Sequence, residues 1–215
     1  MFITFEGIEG SGKTVQVGLA AQYLQRQGKA CVITREPGGT EFGIALRHVL
    51  LLSHGAPREP LSELLLYLAD RYQDLKEVIE PAERKGAIVI SDRYHDATRA
   101  YQGAGRGISP VTIESLARVL GIPEPAGTIV LDLDPETGLR RARQRNAADA
   151  SADAEGRFEA EDLSFHRKVR EGYLELARQH PGRIRVVAAD GSPGEVFARI
   201  APILDEWTNP AGRRS

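Results

Sequence analysis

Within the first fourteen residues a short apolar run, Phe2-Ile3-Thr4-Phe5, leads straight into Gly7-Ile8-Glu9-Gly10-Ser11-Gly12-Lys13-Thr14. The octapeptide fits the G-x-x-x-x-G-K-[ST] spacing of a phosphate-binding loop. Its glycines let the backbone curl into a nest whose N–H groups face phosphate oxygens, and a helix opening at Lys13 adds the positive end of its dipole. Lys13 supplies a point charge with its ammonium open to a ligand, and Thr14 a hydroxyl for magnesium. A glycine-rich turn without a ligand would look similar in isolation. The surroundings argue against that: a strand pattern precedes the loop, and an amphipathic run, Val17, Leu19-Ala20-Ala21, Leu24, follows it and stops at Gly28, as a helix with a C-terminal glycine does.

The rest of the chain repeats this alternation. Strand-like runs at 2–6, 30–34, 87–91, 128–133 and 184–188 are separated by helical pattern, which predicts an α/β chain with a five-stranded parallel sheet and helices on both faces. Ser109-Pro110, Asp134-Pro135 and Ser192-Pro193 each pair an N-cap residue with proline at the first helical position, and Ser192 with Glu195 makes a capping box. The 215 residues suffice for one domain. One segment stands apart. Asn146 to Gly156 is small, acidic and alanine-rich, lacks apolar periodicity, and lies between the arginines of 140–145 and Arg157. A solvated loop is one reading; the flanking arginines favour a mobile lid, spanning about 141–158, that closes over phosphates.

Composition sets limits on partners. With 28 basic and 30 acidic residues the formal net charge is −2, so nothing points to a nucleic-acid or membrane surface. Cys31 is the only cysteine, which rules out an internal disulfide and fits a buried strand residue in a reducing compartment. The N-terminus shows no signal-peptide pattern and no apolar run nears the roughly 18 residues a membrane span needs, so a cytoplasmic protein is expected.

Three further clusters carry chemistry. Arg35-Glu36-Pro37-Gly38-Gly39-Thr40 follows the second strand, at the sheet edge where ligands gather in open α/β folds; Arg35 there can clamp an anionic group bidentately, although an ordinary turn would read much the same. Asp92-Arg93-Tyr94 follows the apolar run Ala87-Ile88-Val89-Ile90, which would put Asp92 beside the metal and Arg93 near transferring phosphates. Ala100-Tyr101-Gln102-Gly103 offers an aromatic face and an amide suited to a base or sugar. The five histidines need no catalytic role, and His95 and His166 are expected at the surface.

Together with Phe5-Glu6-Gly7, Leu66-Tyr67-Leu68-Ala69-Asp70-Arg71 and Arg157-Phe158-Glu159, these motifs resemble the thymidylate kinase family, nucleoside monophosphate kinases with the P-loop NTPase fold, over nearly the whole chain. The resemblance implies transfer of a phosphoryl group from ATP to thymidine monophosphate with Mg2+, in a homodimer. Residue by residue, it implies ATP contacts from Gly7, Ile8, Glu9, Gly10, Ser11, Gly12, Lys13 and Thr14, with Arg141 and Arg143 on the donor side. It puts Glu9 near the acceptor's sugar, Arg35 and Arg93 on the acceptor phosphate, Tyr67 against thymine, Arg71 and Gln102 on the base, and Tyr101 under the deoxyribose. Thr14 and Asp92 belong to the metal. No loop position between Gly7 and Gly12 is arginine, so the catalytic arginine of this subgroup comes from the lid: Arg145 first, Arg157 second. Lys13, Arg93 and Arg145 form the catalytic set. Val15, Ala97, Tyr67 and Gly156 depart from residues common in the family at those positions. A GTP-dependent switch would carry an Asn-Lys-x-Asp motif, which is missing; a degraded regulator that only binds nucleotide is disfavoured by the retained Lys13, Arg93 and lid arginines.

Overall fold

Every residue of β1 (Phe2–Glu6) is buried, because this strand runs through the middle of the sheet. The computed structural model describes residues 1–51, 58–148 and 156–209. In it β1, β2 (Cys31–Arg35), β3 (Ile88–Asp92), β4 (Gly127–Asp132) and β5 (Ile184–Ala188) form one parallel sheet in the order β2-β3-β1-β4-β5. From β1 the chain runs to the β2 edge and back to β3 beside β1, then crosses to β4 and β5, so the loop leaving β1 opens at the topological switch point, where open α/β sheets bind ligands. Three strands sit one residue away from the sequence reading, and the shift has a consequence. Arg35 and Asp92 become the last residues of β2 and β3, directly paired in the ladder, with Asp92 also opposite Phe5 of β1. Ladder pairing therefore brings the ends of three chemistry-bearing segments to one edge.

Alternate strand residues point to opposite faces, and both faces are covered. Phe2 and Val89 pack with Leu75, Ile79 and Tyr94. Ile3, Phe5, Ile88 and Ile90 join a larger core with Val17, Ala20 and Leu24 of α1 (Lys13–Arg26) and Ile200 and Leu204 of α9 (Pro193–Thr208). Each fully buried side chain of this kind contributes roughly 1.5–3 kcal/mol. Cys31 is half-buried rather than buried, since β2 is an edge strand.

The other helices are α2 (Glu41–Leu51), α3 (Pro60–Asp74), α4 (Glu80–Arg84), α5 (His95–Thr98), α6 (Pro110–Leu120), α7 (Pro135–Ala148) and α8 (Leu163–Gln179). A π-helical stretch, Leu75–Ile79, joins α3 to α4, and a second, Arg99–Gly105, continues α5 and carries Tyr101 and Gln102. Such wide turns recur at functional sites. Gly28, at φ +78°, ends α1 as expected, with Lys29 N–H returning to the Leu24 carbonyl at 3.1 Å. Ser192 and Glu195 form the capping box, and the Asp134 carboxylate accepts from Thr137 N–H at 3.0 Å. Ser109 makes no side-chain cap; its carbonyl alone accepts the first helical bonds of α6. Of the expected lid, residues 141–148 are the C-terminal turns of α7 and residues 149–155 lie outside the described residues.

Candidate active site

The loop after β1 is shaped by close approach. Gly7, at φ +139°, has the Leu131 carbonyl 2.6 Å from where a Cβ would stand, and Gly10, at φ +70°, has the Gly138 carbonyl at 2.1 Å. Any side chain at either position would drive the loop off β4 or off the first turn of α7. Lys13 is the first residue of α1, and its ammonium curls back onto the carbonyls of Gly7 (3.0 Å) and Ile8 (2.8 Å), with the Ser11 hydroxyl at 3.4 Å. It is 7% exposed, far less open than the sequence suggested, because the loop wraps it; it still faces the cavity. Burial, helped by the nearby Arg93 guanidinium, pushes its pKa down to about 8 against the pull of Asp92, Glu9 and Glu6.

Thr14 Oγ1 donates to Asp92 Oδ2 at 2.6 Å. Hydroxyl and carboxylate oxygens suit a hard cation that keeps most of its shell for waters and phosphates, as Mg2+ does. Among the described residues there is no cluster of three His, Cys, Asp or Glu that could hold a metal alone. The residues present fit that cation.

Arg93 is the only non-glycine residue with positive φ among the described residues, at +75°. Three bonds hold its backbone there: its N–H reaches the Phe5 carbonyl at 3.0 Å, its carbonyl accepts from Ser91 Oγ at 2.6 Å, and the next N–H, of Tyr94, donates to Glu6 Oε1 at 2.7 Å. The other oxygen of Glu6 accepts from the Tyr173 hydroxyl at 2.8 Å. Burial, with Asp96 nearby, lifts the Glu6 pKa to about 7, although Arg93 and the bonds from Tyr173 and Tyr94 oppose the rise. The strained turn aims the Arg93 guanidinium back over the loop, onto Gly7 O (3.1 Å) and Glu9 Oε1 (3.0 Å), with its carbon 4.8 Å from the Tyr101 ring centre.

Glu9 is the hub. Its Oε1 also accepts from the Tyr101 hydroxyl at 2.6 Å, and its Oε2 lies 3.2 Å from His166 Nδ1. Burial alone would raise its pKa, but His166, Arg93, Lys13 and Tyr101 outweigh it and hold the group at about 2. His166, expected at the surface, is fully buried: Nε2 faces the Phe158 carbonyl at 2.9 Å while Nδ1 faces Glu9. His95 is buried as well, its Nδ1 3.4 Å from Arg71 Nη1 and its Nε2 3.6 Å from Glu114. Neither is a surface residue, because each fills a polar gap between elements distant in sequence.

A cavity of about 490 Å³ runs from Lys13, Thr14 and Asp92 past Arg93 and Tyr101 to Tyr67, Arg71 and Gln102. At the far end Arg71 is immobilised: Nε donates to Glu36 Oε2 (2.7 Å), Nη1 to Thr98 Oγ1 (2.8 Å) and Nη2 to the Tyr94 carbonyl (2.9 Å). Gln102 Nε2 donates to Glu63 at 2.8 Å. Arg35 lines the wall and is exposed, with no hydrogen bond to another described residue. Tyr67 is half-buried on the same wall.

The arginines near the expected lid separate. Arg141 donates to the Ala189 carbonyl (3.3 Å) and Arg143 to the Glu159 carbonyl (3.3 Å), and neither borders the cavity. Arg145 does, together with Asn146 and Glu159. Arg157 turns away, to the Leu50 carbonyl (3.1 Å) and Glu63 (2.5 Å). Sequence reasoning missed Arg47, which lines the wall and donates to the Pro37 carbonyl at 3.0 Å, and the buried supports Glu6, Glu36, Glu63 and His166. Glu6 and Glu36 stand inside the motifs Phe5-Glu6-Gly7 and Arg35-Glu36-Pro37 without a role assigned, and His166 left a trace in its spacing, three and seven residues before Val169 and Tyr173 on the buried stripe of α8.

Because a free-enzyme pKa near 8 governs Lys13, we expect kcat/KM for ATP to decline as pH rises through about 8, as the ammonium is lost. The kcat profile should hold to higher pH, since bound phosphates favour the charged form. Parallel declines of both parameters would refute this.

Comparison with known proteins places these observations. The family model described as thymidylate kinase matches residues 5–200. A thymidylate kinase of Nitratidesulfovibrio vulgaris (strain DP4) is 49% identical over 205 residues, covering 95% of this chain and 92% of its own. That of Oleidesulfovibrio alaskensis is 48% identical over 211 residues, covering 97% and 99%. The crystal structure of thymidylate kinase from Ehrlichia chaffeensis superposes with a TM-score of 0.76 at 32% identity, covering 95% of this chain and 98% of that one.

Proposed function

The chain belongs to the thymidylate kinase family, and on that premise we infer that its cavity phosphorylates dTMP to dTDP with ATP as donor, a step toward dTTP. The observation that carries this reading is a single cavity with Lys13, Thr14 and Asp92 at one end, Arg71 and Gln102 at the other, and Arg93 between them. Phosphoryl transfer asks for in-line positioning and neutralisation of charge, with little covalent help. The loop and Lys13 would hold the donor phosphates; Arg35 and Arg93 would hold the acceptor phosphate; Tyr101 and Glu9 would support the deoxyribose, and Tyr67 would face the base. Thr14 and Asp92 would hold Mg2+, which when bound would offset charge on the phosphates. Closure of the segment flanked by Arg145 and Arg157 would exclude water.

The test is a panel of acceptors assayed with ATP and with GTP. Arg71 donates toward the base, where thymine offers a carbonyl and cytosine an amino group. A donor left facing a donor in a buried site costs about 1–3 kcal/mol, so dCMP should be poor. Contact with Tyr101 beneath the sugar should exclude a 2′-hydroxyl, so UMP should be poor as well. dUMP lacks one methyl, worth about 1 kcal/mol, and should be the best of the wrong acceptors. A preference for dCMP or UMP over dTMP would overturn the assignment.

We also assign a homodimer through α2 and α3 in the cytoplasm. α2 and α3 pack on each other and leave Phe42, Val49, Leu61 and Leu65 exposed on neighbouring helices, an apolar surface that a second copy could cover. No helix among the described residues is long and apolar enough to cross a membrane. Leu65→Glu should halve the mass seen by light scattering; an unchanged dimer would exclude this face.

A further inference from the structure

Gln102 carries two groups of opposite character on one amide, and a base can be read by either one. What decides which group faces the cavity is Glu63 on α3, a carboxylate with no solvent exposure. A carboxylate only accepts hydrogen bonds. Its Oε1 takes the Gln102 Nε2 donor at 2.8 Å, and Arg157 (2.5 Å) and Arg106 (3.4 Å) hold the carboxylate in place. The amide nitrogen of Gln102 is therefore committed to Glu63. Its oxygen has no donor among the described residues, although Gln102 borders the cavity.

We propose that Glu63 is a specificity-determining positioning residue: by holding the Gln102 amide with its oxygen toward the cavity, it makes the site select a base that presents a ring N–H. This rests on the dTMP reading above and deepens it. Thymine and uracil present an N–H at N3 beside a carbonyl at C4; cytosine presents a bare N3 acceptor beside an amino group. The pair formed by the Arg71 donor and the Gln102 acceptor complements the first pattern and opposes the second at both positions. Glu63 also receives Arg157, so one carboxylate serves base reading and the C-terminal end of the expected lid.

In Glu63→Gln the new amide can donate to Gln102, whose own amide is then free to turn and offer its NH2 to the cavity. The kcat/KM ratio of dTMP to dCMP should fall about tenfold or more, while the ratio of dTMP to dUMP, which reports only the methyl group, stays as in the wild type. Ratios taken on one preparation cancel any loss of folded enzyme. Arg157→Ala, which removes one of the two arginine contacts to Glu63 and leaves the Gln102 bond, should keep the wild-type dTMP to dCMP ratio. If Glu63→Gln does not fold, Gln102→Leu provides the decision, because loss of the amide must also lower that ratio. An unchanged ratio in Glu63→Gln or Gln102→Leu, or an equal fall in Arg157→Ala, overturns the proposal. A wild-type enzyme that does not prefer dTMP to dCMP overturns instead the reading on which it rests.

Discussion

Lys13→Ala should lower kcat by about two to three orders of magnitude, the loss seen when a preorganised charge-stabilising donor is removed from a phosphoryl- or acyl-transfer site. In the free enzyme the ammonium is held by the Gly7 and Ile8 carbonyls, so it stands in the concavity before any phosphate arrives. Preorganisation of this kind means that no protein dipoles need to turn when charge develops on the transferring group. The fold should survive the change. Lys13 contributes no packing to the apolar core, and its removal leaves the Gly7 carbonyl paired with Arg93 Nη1 at 3.1 Å and the Ile8 carbonyl with Ser11 N–H at 3.4 Å. The measurement is steady-state turnover with a thermal melt alongside. Near-normal turnover in a well-folded variant would remove the loop from the mechanism.

Legibility of this chain from its sequence followed the range of the interactions. The phosphate-binding loop was visible because its requirements are local: glycine where φ is positive, lysine at the first helical position, threonine next. The sheet was visible from five apolar runs, yet three of them shifted by a residue, and ladder pairing with neighbouring strands decided that Arg35 and Asp92 close β2 and β3. Side chains whose role is to satisfy another side chain were invisible. Glu63 looks like any polar residue in the first turn of a helix, and its burial comes from Gln102, Arg106 and Arg157, between 39 and 94 positions away. Glu6 is an acid inside a strand, against local preference, and only the strained turn at Arg93 and the Tyr173 hydroxyl explain it. His166 was misplaced at the surface because histidine reads as polar, whereas its burial depends on Glu9 and the Phe158 carbonyl. Local conflicts of this kind tend to mark functional sites, and here each of the three supports a residue on the cavity wall.

Arg145→Ala should lower kcat about a thousandfold, the lower range of what an arginine finger contributes, while the KM for dTMP changes little. The structure separates this residue from the fixed arginines. Arg93 and Arg71 are each pinned by three contacts or more, Arg141 and Arg143 rest on main-chain carbonyls, but Arg145 keeps a side chain that is 63% exposed and, among the described residues, is held only by Asn146 Oδ1 at 3.2 Å and Glu159 Oε1 at 3.4 Å. Exposed pairs of this geometry are worth little, so the guanidinium can leave them for a phosphoryl group at slight cost. A contact made chiefly as charge spreads over the transferring phosphoryl lowers the barrier without tightening the ground state, and its loss therefore appears in kcat. Arg145→Lys should recover part of the rate, since a point charge persists where the planar fork is lost. Should dTMP affinity collapse in Arg145→Ala while saturated turnover stays intact, Arg145 is a ground-state binding residue, and Arg157, next in line, would have to leave Glu63 and the Leu50 carbonyl to serve as the finger.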